Sequence, residues 1–264
     1  AADASARRAA FLNFRRHFER MEGDLGDKLM SLNSLWYPHY FALSGKYTML
    51  GAETAQGLPN DNLFYAFLRG AAKQYGTLIW GDASIGNRWW GSEGPKTCSI
   101  DPANASTCVC STNGTSISLL RRLMWSQILY GSTFMSFEGS LTCTTSSGAA
   151  VPTPIGLVQQ AGQKWAASLG SGGLGVHLAT VGVLLDFFTG FEPPRHLYST
   201  SAFRVWGGLP WGAGDFFTHG LFDLLYPGYH RSSFFHNESG FVTGTPHTDG
   251  ADVLLTDAPP FLLR

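Results

Sequence analysis

The sequence predicts an α/β fold with a parallel β-sheet, and three observations lead to that prediction. Apolar runs of strand length alternate with longer helical segments. The helical segments 58–76 and 153–170 begin near a proline and stop at a glycine. A glycine, an apolar run and an acid recur in that order at 45–53, 76–82 and 131–138. Strands and helices that alternate along a chain form parallel sheets with right-handed crossovers.

The elements of this sheet follow one another in chain order. Phe11, Phe14 and Phe18 recur at helical spacing and indicate a first helix over 5–24. The predicted strands are 29–32, 47–52, 77–82 and 133–137. The helices that alternate with them are predicted at 34–45, 58–76, 116–131 and 153–170. The strands are apolar without alternation, so both faces of the sheet are expected to be buried.

Two architectures fit four strand–helix units, an open doubly wound sheet and a (β/α)8 barrel. Open nucleotide-binding sheets usually carry a glycine-rich phosphate loop, and none of the known patterns occurs here. Acids at successive strand ends favour a barrel, whose active site lies at the carboxyl ends of its strands. Because closure needs about eight strands, residues 1–170 are predicted to be the C-terminal half of a barrel. An upstream part of the same polypeptide or a partner chain would complete it.

A second domain is predicted after the glycine-rich linker at 170–175. The segment 176–188 reads as a buried strand that ends at Asp186, and it is too short to span a bilayer. We expect an α/β domain over 175–264 that is incomplete at residue 264. Trp206 and Trp211 are expected to pack at the interface between the two domains; the alternative is that they line the same cleft as the acids at the strand ends.

Composition excludes some classes of function. Charged residues make up 14% of the chain, glycine occurs 32 times, and the formal net charge is -1. Lysine and arginine are scattered, which does not form the basic patch of a nucleic-acid-binding protein. So low a charge is typical of a loop-rich extracellular protein or of a surface that another segment covers.

A cysteine-rich insertion is predicted at 86–116. The four cysteines of the chain are Cys98, Cys108, Cys110 and Cys143, and the three glycosylation sequons begin at Asn104, Asn113 and Asn237. Cysteines and sequons crowded in one polar segment indicate two disulfides and glycans in a secreted or extracellular protein, at the cell surface or in the cell wall. The three alternative pairings stay open. Reduced cysteines with chance sequons are one alternative; a zinc site is another, although no histidine lies close by and the usual two-residue gap is missing.

The end of the first domain and the start of the second resemble the beta-galactosidases of glycoside hydrolase family 42. The residues that carry this resemblance are Glu138 at a strand end, the closing helix "PIGLVQQAGQKWAAS" and the strand "VGVLLDFF". In that family a (β/α)8 barrel precedes a flavodoxin-like domain used for trimerisation. The resemblance implies a carbohydrate ligand and a homo-oligomer. It also makes Asp82 the end of the seventh strand, where the family has a nucleophilic glutamate, and places the acid/base upstream.

Glu53, Asp82 and Glu138 are the candidate catalytic residues. Glycoside hydrolysis needs two carboxylates across the sugar, one to protonate the leaving oxygen and one to attack or to activate water. We expect these three acids at one end of the sheet and in one cleft. The alternative is that some of them cap a helix N-terminus or pair with arginine.

The candidate carbohydrate-binding residues lie on and just after the strand of Asp82. They are Trp80, Asn87, Arg88, Trp89 and Trp90. Flat aromatic side chains stack on sugars, and the asparagine and arginine add polar reach. The alternative is an aromatic core beneath a disulfide loop. The histidines lack ligand spacing, so neither a metal nor a cofactor is expected.

Together these observations predict a secreted glycoside hydrolase-like protein that acts on or binds carbohydrate. The alternative is a non-catalytic extracellular structural or carbohydrate-binding glycoprotein on the same scaffold. Fold alone does not choose between them. The missing phosphate loop weakens a third hypothesis, a nucleotide-dependent α/β enzyme.

Overall fold

The computed structural model of the chain describes nine segments, and every structural statement below concerns them. They are residues 4–33, 38–54, 61–83, 117–137, 142–146, 148–170, 173–191, 204–226 and 250–256.

The described residues form six helices and ten strands. The helices are α1 (Ala4–Leu25), α2 (Pro38–Ala42), α3 (Asp61–Tyr75), α4 (Ile117–Leu129), α5 (Pro154–Ser168) and α6 (Ala213–Leu225). The strands are β1 (Leu29–Asn33), β2 (Tyr47–Thr54), β3 (Leu78–Ala83), β4 (Phe134–Phe137), β5 (Cys143–Ser146), β6 (Ala149–Pro152), β7 (Val181–Leu185), β8 (Arg204–Val205), β9 (Leu209–Pro210) and β10 (Ala251–Leu255). No helix among these segments is long and apolar enough to cross a membrane.

Strands β1 to β4 form one parallel sheet in the order β1-β2-β3-β4. Each strand therefore lies beside its predecessor in the chain, and right-handed crossovers then place the connecting helices on one face. Two glycines end the helices that lead into β3 and β4. Gly76 has φ 74° and Gly131 has φ 94°, a region that only glycine enters without strain.

One face of this sheet packs against the helices. Leu50 and Ala52 of β2 face a cluster that includes Leu63 and Phe67 of α3. Met135 of β4 packs with residues of α4 and α5 in a second cluster. Each leucine or phenylalanine buried in this way contributes about 1.5–3 kcal/mol relative to exposure.

The opposite face carries the alternate residues of each strand. Met30, Leu78 and Phe134 are exposed on it by 51%, 47% and 45%. The prediction that both faces are buried therefore holds for the face covered by helices and is wrong for the other face among the described residues. The cause lies in α3, α4 and α5, which pack on the face of Leu50, Gly81 and Met135.

Strands β7 and β10 form a second, two-stranded parallel sheet, which packs against α3. The approach is close because residue 70 has no side chain: a Cβ on Gly70 would lie 1.6 Å from the carbonyl oxygen of Val253. The two regions predicted as separate domains thus share one hydrophobic cluster, which includes Leu50 and Val253.

The edge of β10 that faces the helices is bound by side chains instead of by another strand. His39 Nε2 donates to the carbonyl of Val253 (2.9 Å), and Arg69 Nη2 donates to that of Ala251 (2.8 Å). The amide of Gln74 pairs with both backbone groups of Leu255, at 3.0 and 3.1 Å. These bonds satisfy an edge that would otherwise invite strand pairing.

Further contacts join α1 and α2 to the C-terminal region. Arg7 forms an ion pair with Asp215, the third residue of α6, and the Tyr40 hydroxyl donates to the carbonyl of Phe187. The ring of Trp206 stacks on Tyr40 at 5.3 Å and meets Phe11 edge-on at 6.1 Å. Trp206 thus contacts both regions, as expected, whereas Trp211 has ring contacts with Phe191, Phe216 and His219 of the C-terminal region. An interface between separate domains stays a prediction.

The prediction of an α/β fold with a parallel sheet is confirmed, and the four strands lie within one or two residues of their predicted ends. The antiparallel β5–β6 hairpin was not predicted from the sequence. The division into domains at 1–170 and 175–264 stays a prediction, as does a flavodoxin-like second domain.

Candidate functional site

Glu53, Asp82 and Ser136 form a row across three neighbouring strands. Glu53 of β2 is the register partner of Asp82 of β3, and Asp82 is the register partner of Ser136 of β4. Register partners in a parallel sheet point to the same face, about 4.8 Å apart. Each of the three is the penultimate residue of its strand. The row therefore lies at the carboxyl end of the sheet.

The row lies on the face that the helices leave open. Ile79, Gly81 and Ala83 of β3 point to the helices, since a Cβ on Gly81 would lie 3.0 Å from the Cβ of Gln127 in α4. Residue 82 alternates with them and points the other way. The side chains of Glu53 and Asp82 thus project to the same face from neighbouring strands, with Glu53 half-buried and Asp82 only 3% exposed.

An apolar floor lies beneath the row on the same face. Trp80 and Phe134 face each other across β3 and β4 with ring centroids 5.9 Å apart. Gly51 leaves room for the tryptophan, because a Cβ at residue 51 would lie 2.8 Å from the carbonyl oxygen of Trp80. The two ring planes are inclined by 59°, and together they present apolar surface on this face.

The side chain of Asp82 is held by a hydrogen-bond chain along this face. The indole Nε1 of Trp80 donates to the hydroxyl of Ser136 (2.8 Å), and that hydroxyl donates to Oδ1 of Asp82. The carboxylate is therefore fixed from β4 while the backbone of β3 fixes its Cα.

The backbone of Asp82 is held from the helix side as well. The hydroxyl of Thr54 donates to the carbonyl of Asp82 (3.2 Å), and the amide of Gln127 donates to the hydroxyl of Thr54 (3.0 Å). All three groups are buried. This arrangement joins the carboxyl ends of β2 and β3 to α4 and makes residue 82 a rigid point.

The structure brings Glu53 and Asp82 together and places Trp80 beside them, as expected for three of the predicted site residues. Their catalytic and binding roles stay predictions. The other predicted site residues lie outside the described segments, namely Glu138, Asn87, Arg88, Trp89 and Trp90.

The predicted disulfides and glycans fall almost wholly outside the described segments. Those residues are Cys98, Cys108, Cys110, Asn104, Asn113 and Asn237. Cys143 is described: it begins β5, is exposed, and is a free thiol in the structure. Because its expected partners are not described, the pairing stays a prediction.

Sequence reasoning missed Ser136, because only the strand register shows that it lies beside an acid. Ser136 stands two residues before Glu138 in the third of the glycine–apolar–acid repeats. Aligning that repeat with the one ending at Asp82 by strand register, instead of by the acids, brings Ser136 opposite Asp82. Within the described segments no group of three side chains is arranged to hold a metal ion.

Comparison with protein-family models, with curated proteins and with solved structures finds no match to this chain. What the molecule does is therefore inferred from the row of Glu53, Asp82 and Ser136 and from the floor beneath it.

Proposed function

We propose that the chain is part of a secreted glycoside hydrolase-like protein, in which Glu53 and Asp82 act on a carbohydrate bound against Trp80. The observation that carries the proposal is the direct register pairing of these two acids at the carboxyl ends of adjacent parallel strands. Side chains on strands about 4.8 Å apart bring carboxyl groups into the range that glycosidase pairs use. Glu138, which follows the end of β4 in the sequence, is a third candidate acid of the same site.

The sheet supports a finer proposal, that it is half of a (β/α)8 barrel. Four strands in chain order with their helices on one face are the arrangement of consecutive units in such a barrel. The open face would then be the barrel interior. The exposed Met30, Leu78 and Phe134 would be covered by the remaining strands, from an upstream part of the polypeptide or a partner chain. A homo-oligomer through the C-terminal region belongs to the same proposal.

Secretion is supported by the sequence of the insertion at 86–116, where three of the four cysteines and two of the three sequons lie. Disulfides and N-linked glycans both form in oxidising secretory compartments. Intact mass before and after enzymatic deglycosylation, with and without reduction, tests this part. An unglycosylated mass with four alkylatable thiols on the unreduced protein would contradict it.

A non-catalytic carbohydrate-binding glycoprotein is the second candidate. The burial of Asp82 favours it, because a carboxylate that is 3% exposed reaches a substrate less easily than one at a cleft surface. In that case the floor of Trp80 and Phe134 would bind sugar and Asp82 would stiffen the sheet.

The experiment measures binding and hydrolysis separately on a panel of oligosaccharides and aryl glycosides. Glu53→Gln and Asp82→Asn keep the shape of each side chain and remove its charge. We expect each to lower turnover about 10²–10⁴-fold with binding retained, because the carboxylates act in the transition state. Glu19→Gln makes the same chemical change at an exposed position of α1 and should leave turnover unaltered.

The possible results separate the two candidates. Hydrolysis that both substitutions abolish supports the enzyme. Sugar binding without hydrolysis supports the non-catalytic glycoprotein. Neither binding nor hydrolysis across the panel, or hydrolysis that survives both substitutions, would refute the role given to this site.

A further inference from the structure

The contact between Trp80, Ser136 and Asp82 has a fixed direction. An indole nitrogen can only donate a hydrogen bond, so the oxygen of Ser136 must accept from Trp80, at 2.8 Å. A serine hydroxyl carries one proton, and with its oxygen occupied by Trp80 that proton points to Oδ1 of Asp82. Asp82 must therefore accept, which a carboxylate does best when it is ionised.

We propose that Ser136 is a positioning residue of this site: with Trp80 behind it, its hydroxyl fixes the aim of the Asp82 carboxylate and favours its charged form. The effect on catalysis rests on the proposed function, whereas the contact and its electrostatic effect do not. Trp80 then serves the site through its N–H as well as through its ring. Trp80 and Ser136 thus act together on Asp82, a role that neither composition nor strand pattern indicates.

The hydrogen bond from Ser136 opposes the effect of the nearest acid on the charge of Asp82. From β2 its register partner is Glu53, whose negative charge opposes the ionisation of Asp82. Among the described residues, Ser136 faces Asp82 from β4, and on the helix side the neutral hydroxyl of Thr54, itself bound by Gln127, contacts the backbone of Asp82. A hydroxyl that donates to the carboxylate works against the effect of Glu53.

The first test follows the Trp80 indole N–H resonance in a ¹H–¹⁵N spectrum of the labelled protein as a function of pH. We expect this resonance to titrate in the wild type and to stop titrating in Asp82→Asn. Ser136→Ala removes the hydroxyl and should raise the titration midpoint by about one pH unit, because the charged form loses a donor. Ser136→Thr keeps a hydroxyl and should restore the wild-type midpoint.

Ser132→Ala is the matched control. It deletes a buried serine hydroxyl just before β4, next to Gly81 on the helix face and therefore away from Asp82. It should leave the midpoint unchanged. Thermal melting of each variant checks that it is folded. If Ser136→Ala does not fold, Ser136→Cys takes its place, since it keeps the size of the side chain and the Trp80 reporter, replaces the hydroxyl with a much weaker S–H donor and should shift the midpoint in the same direction.

The titration of the Trp80 resonance and the hydrolysis assay can fail independently. An indole resonance that does not titrate, or a midpoint that Ser136→Ala leaves at the wild-type value, would overturn the inference. Absence of hydrolysis in the wild type would refute the enzyme proposal and leave the spectroscopic result intact. Where hydrolysis occurs, Ser136→Ala should lower kcat with KM little changed and raise the acid limb of the pH profile by the same interval.

Discussion

Two buried aspartates, one in each parallel sheet, have different partners among the described residues. Asp82 of the four-stranded sheet is 3% exposed, and Asp252 of the two-stranded sheet is 2% exposed. Asp252 is bound by two cations of α3, Arg69 at 2.8 Å and Lys73. Asp82 accepts from the neutral hydroxyl of Ser136 and has another acid, Glu53, as its register partner.

The difference shows that burial alone does not separate structural acids from chemical ones. Arg69 also donates to the carbonyl of Ala251 and lies over the ring of Tyr130, 5.3 Å from its centroid. Asp252 thus holds β10 against α3, and its charge is neutralised by Arg69 and Lys73 in that contact. Asp82 lies at a strand end beside Glu53, on the face that the helices leave open, where the proposed function would use its charge.

The largest expected effect comes from removing the buried partner of Asp252. Arg69→Met should lower the free energy of unfolding by about 3–5 kcal/mol, because it removes one partner of a buried ion pair and leaves the charge of Asp252 poorly compensated. Urea unfolding measures this loss.

Lys73→Met is the matched control for that loss. Lys73 pairs with the same carboxylate, but its side chain is 44% exposed. Solvent screens the pair, and the loss should stay below about 1 kcal/mol. Equal losses of stability for Arg69→Met and Lys73→Met would contradict the larger contribution assigned to the buried Arg69.

The second largest effect is a pH dependence of stability that comes from another side chain bound to β10. Burial lowers the pKa of His39, which bonds to the carbonyl of Val253 on β10, from 6.5 to about 4. The folded state therefore prefers the neutral ring. The contribution of His39 is complete above pH 6.5 and is lost as pH falls from about 6.5 to about 4, by about 3 kcal/mol in total.

Unfolding by urea at several pH values measures this slope. In His39→Gln the part of the slope that comes from residue 39 should vanish, leaving a flatter profile between pH 4 and 6.5. His17→Gln changes an exposed histidine of α1 and should keep the wild-type slope. A His39→Gln profile as steep as the wild type would show that other groups set the acid sensitivity.

The local parts of this fold could be predicted because they depend on near neighbours in sequence. The spacing of Phe11, Phe14 and Phe18 predicted α1, and the glycines at 76 and 131 predicted where α3 and α4 end. The alignment of Glu53 with Asp82 was also predictable, since parallel strands in chain order bring equivalent positions of a repeat together.

The parts that could not be predicted are side-chain contacts over long separations. His39 and Val253 are 214 residues apart, and Arg69 and Asp252 are 183 apart. No local pattern indicates which strand edge a helix side chain will bind. Ser136 was missed for a different reason: a serine in an apolar strand carries no chemical signal until strand register places an acid beside it.

The smallest expected effect is the change in stability caused by Asp82→Asn, which is compared with that caused by Asp252→Asn. Asparagine keeps an oxygen for Ser136 to donate to, and it removes the repulsion between residue 82 and Glu53. Asp82→Asn should therefore change the free energy of unfolding by less than about 1 kcal/mol, because the weaker hydrogen bond from Ser136 to a neutral amide offsets the relief from the charge of Glu53.

Asp252→Asn, the same chemical change, should instead lower the free energy of unfolding by about 2–3 kcal/mol, since Arg69 would be left buried without a counter-charge. The difference between the two changes is the essential result, because a structural carboxylate stabilises the fold and a functional one often does not. Urea unfolding of the two variants, in parallel with the wild type at pH 7, measures both changes. If Asp82→Asn destabilised the protein as much as Asp252→Asn, the carboxylate of Asp82 would be a structural group like that of Asp252, and the function proposed for the row would lose its main support.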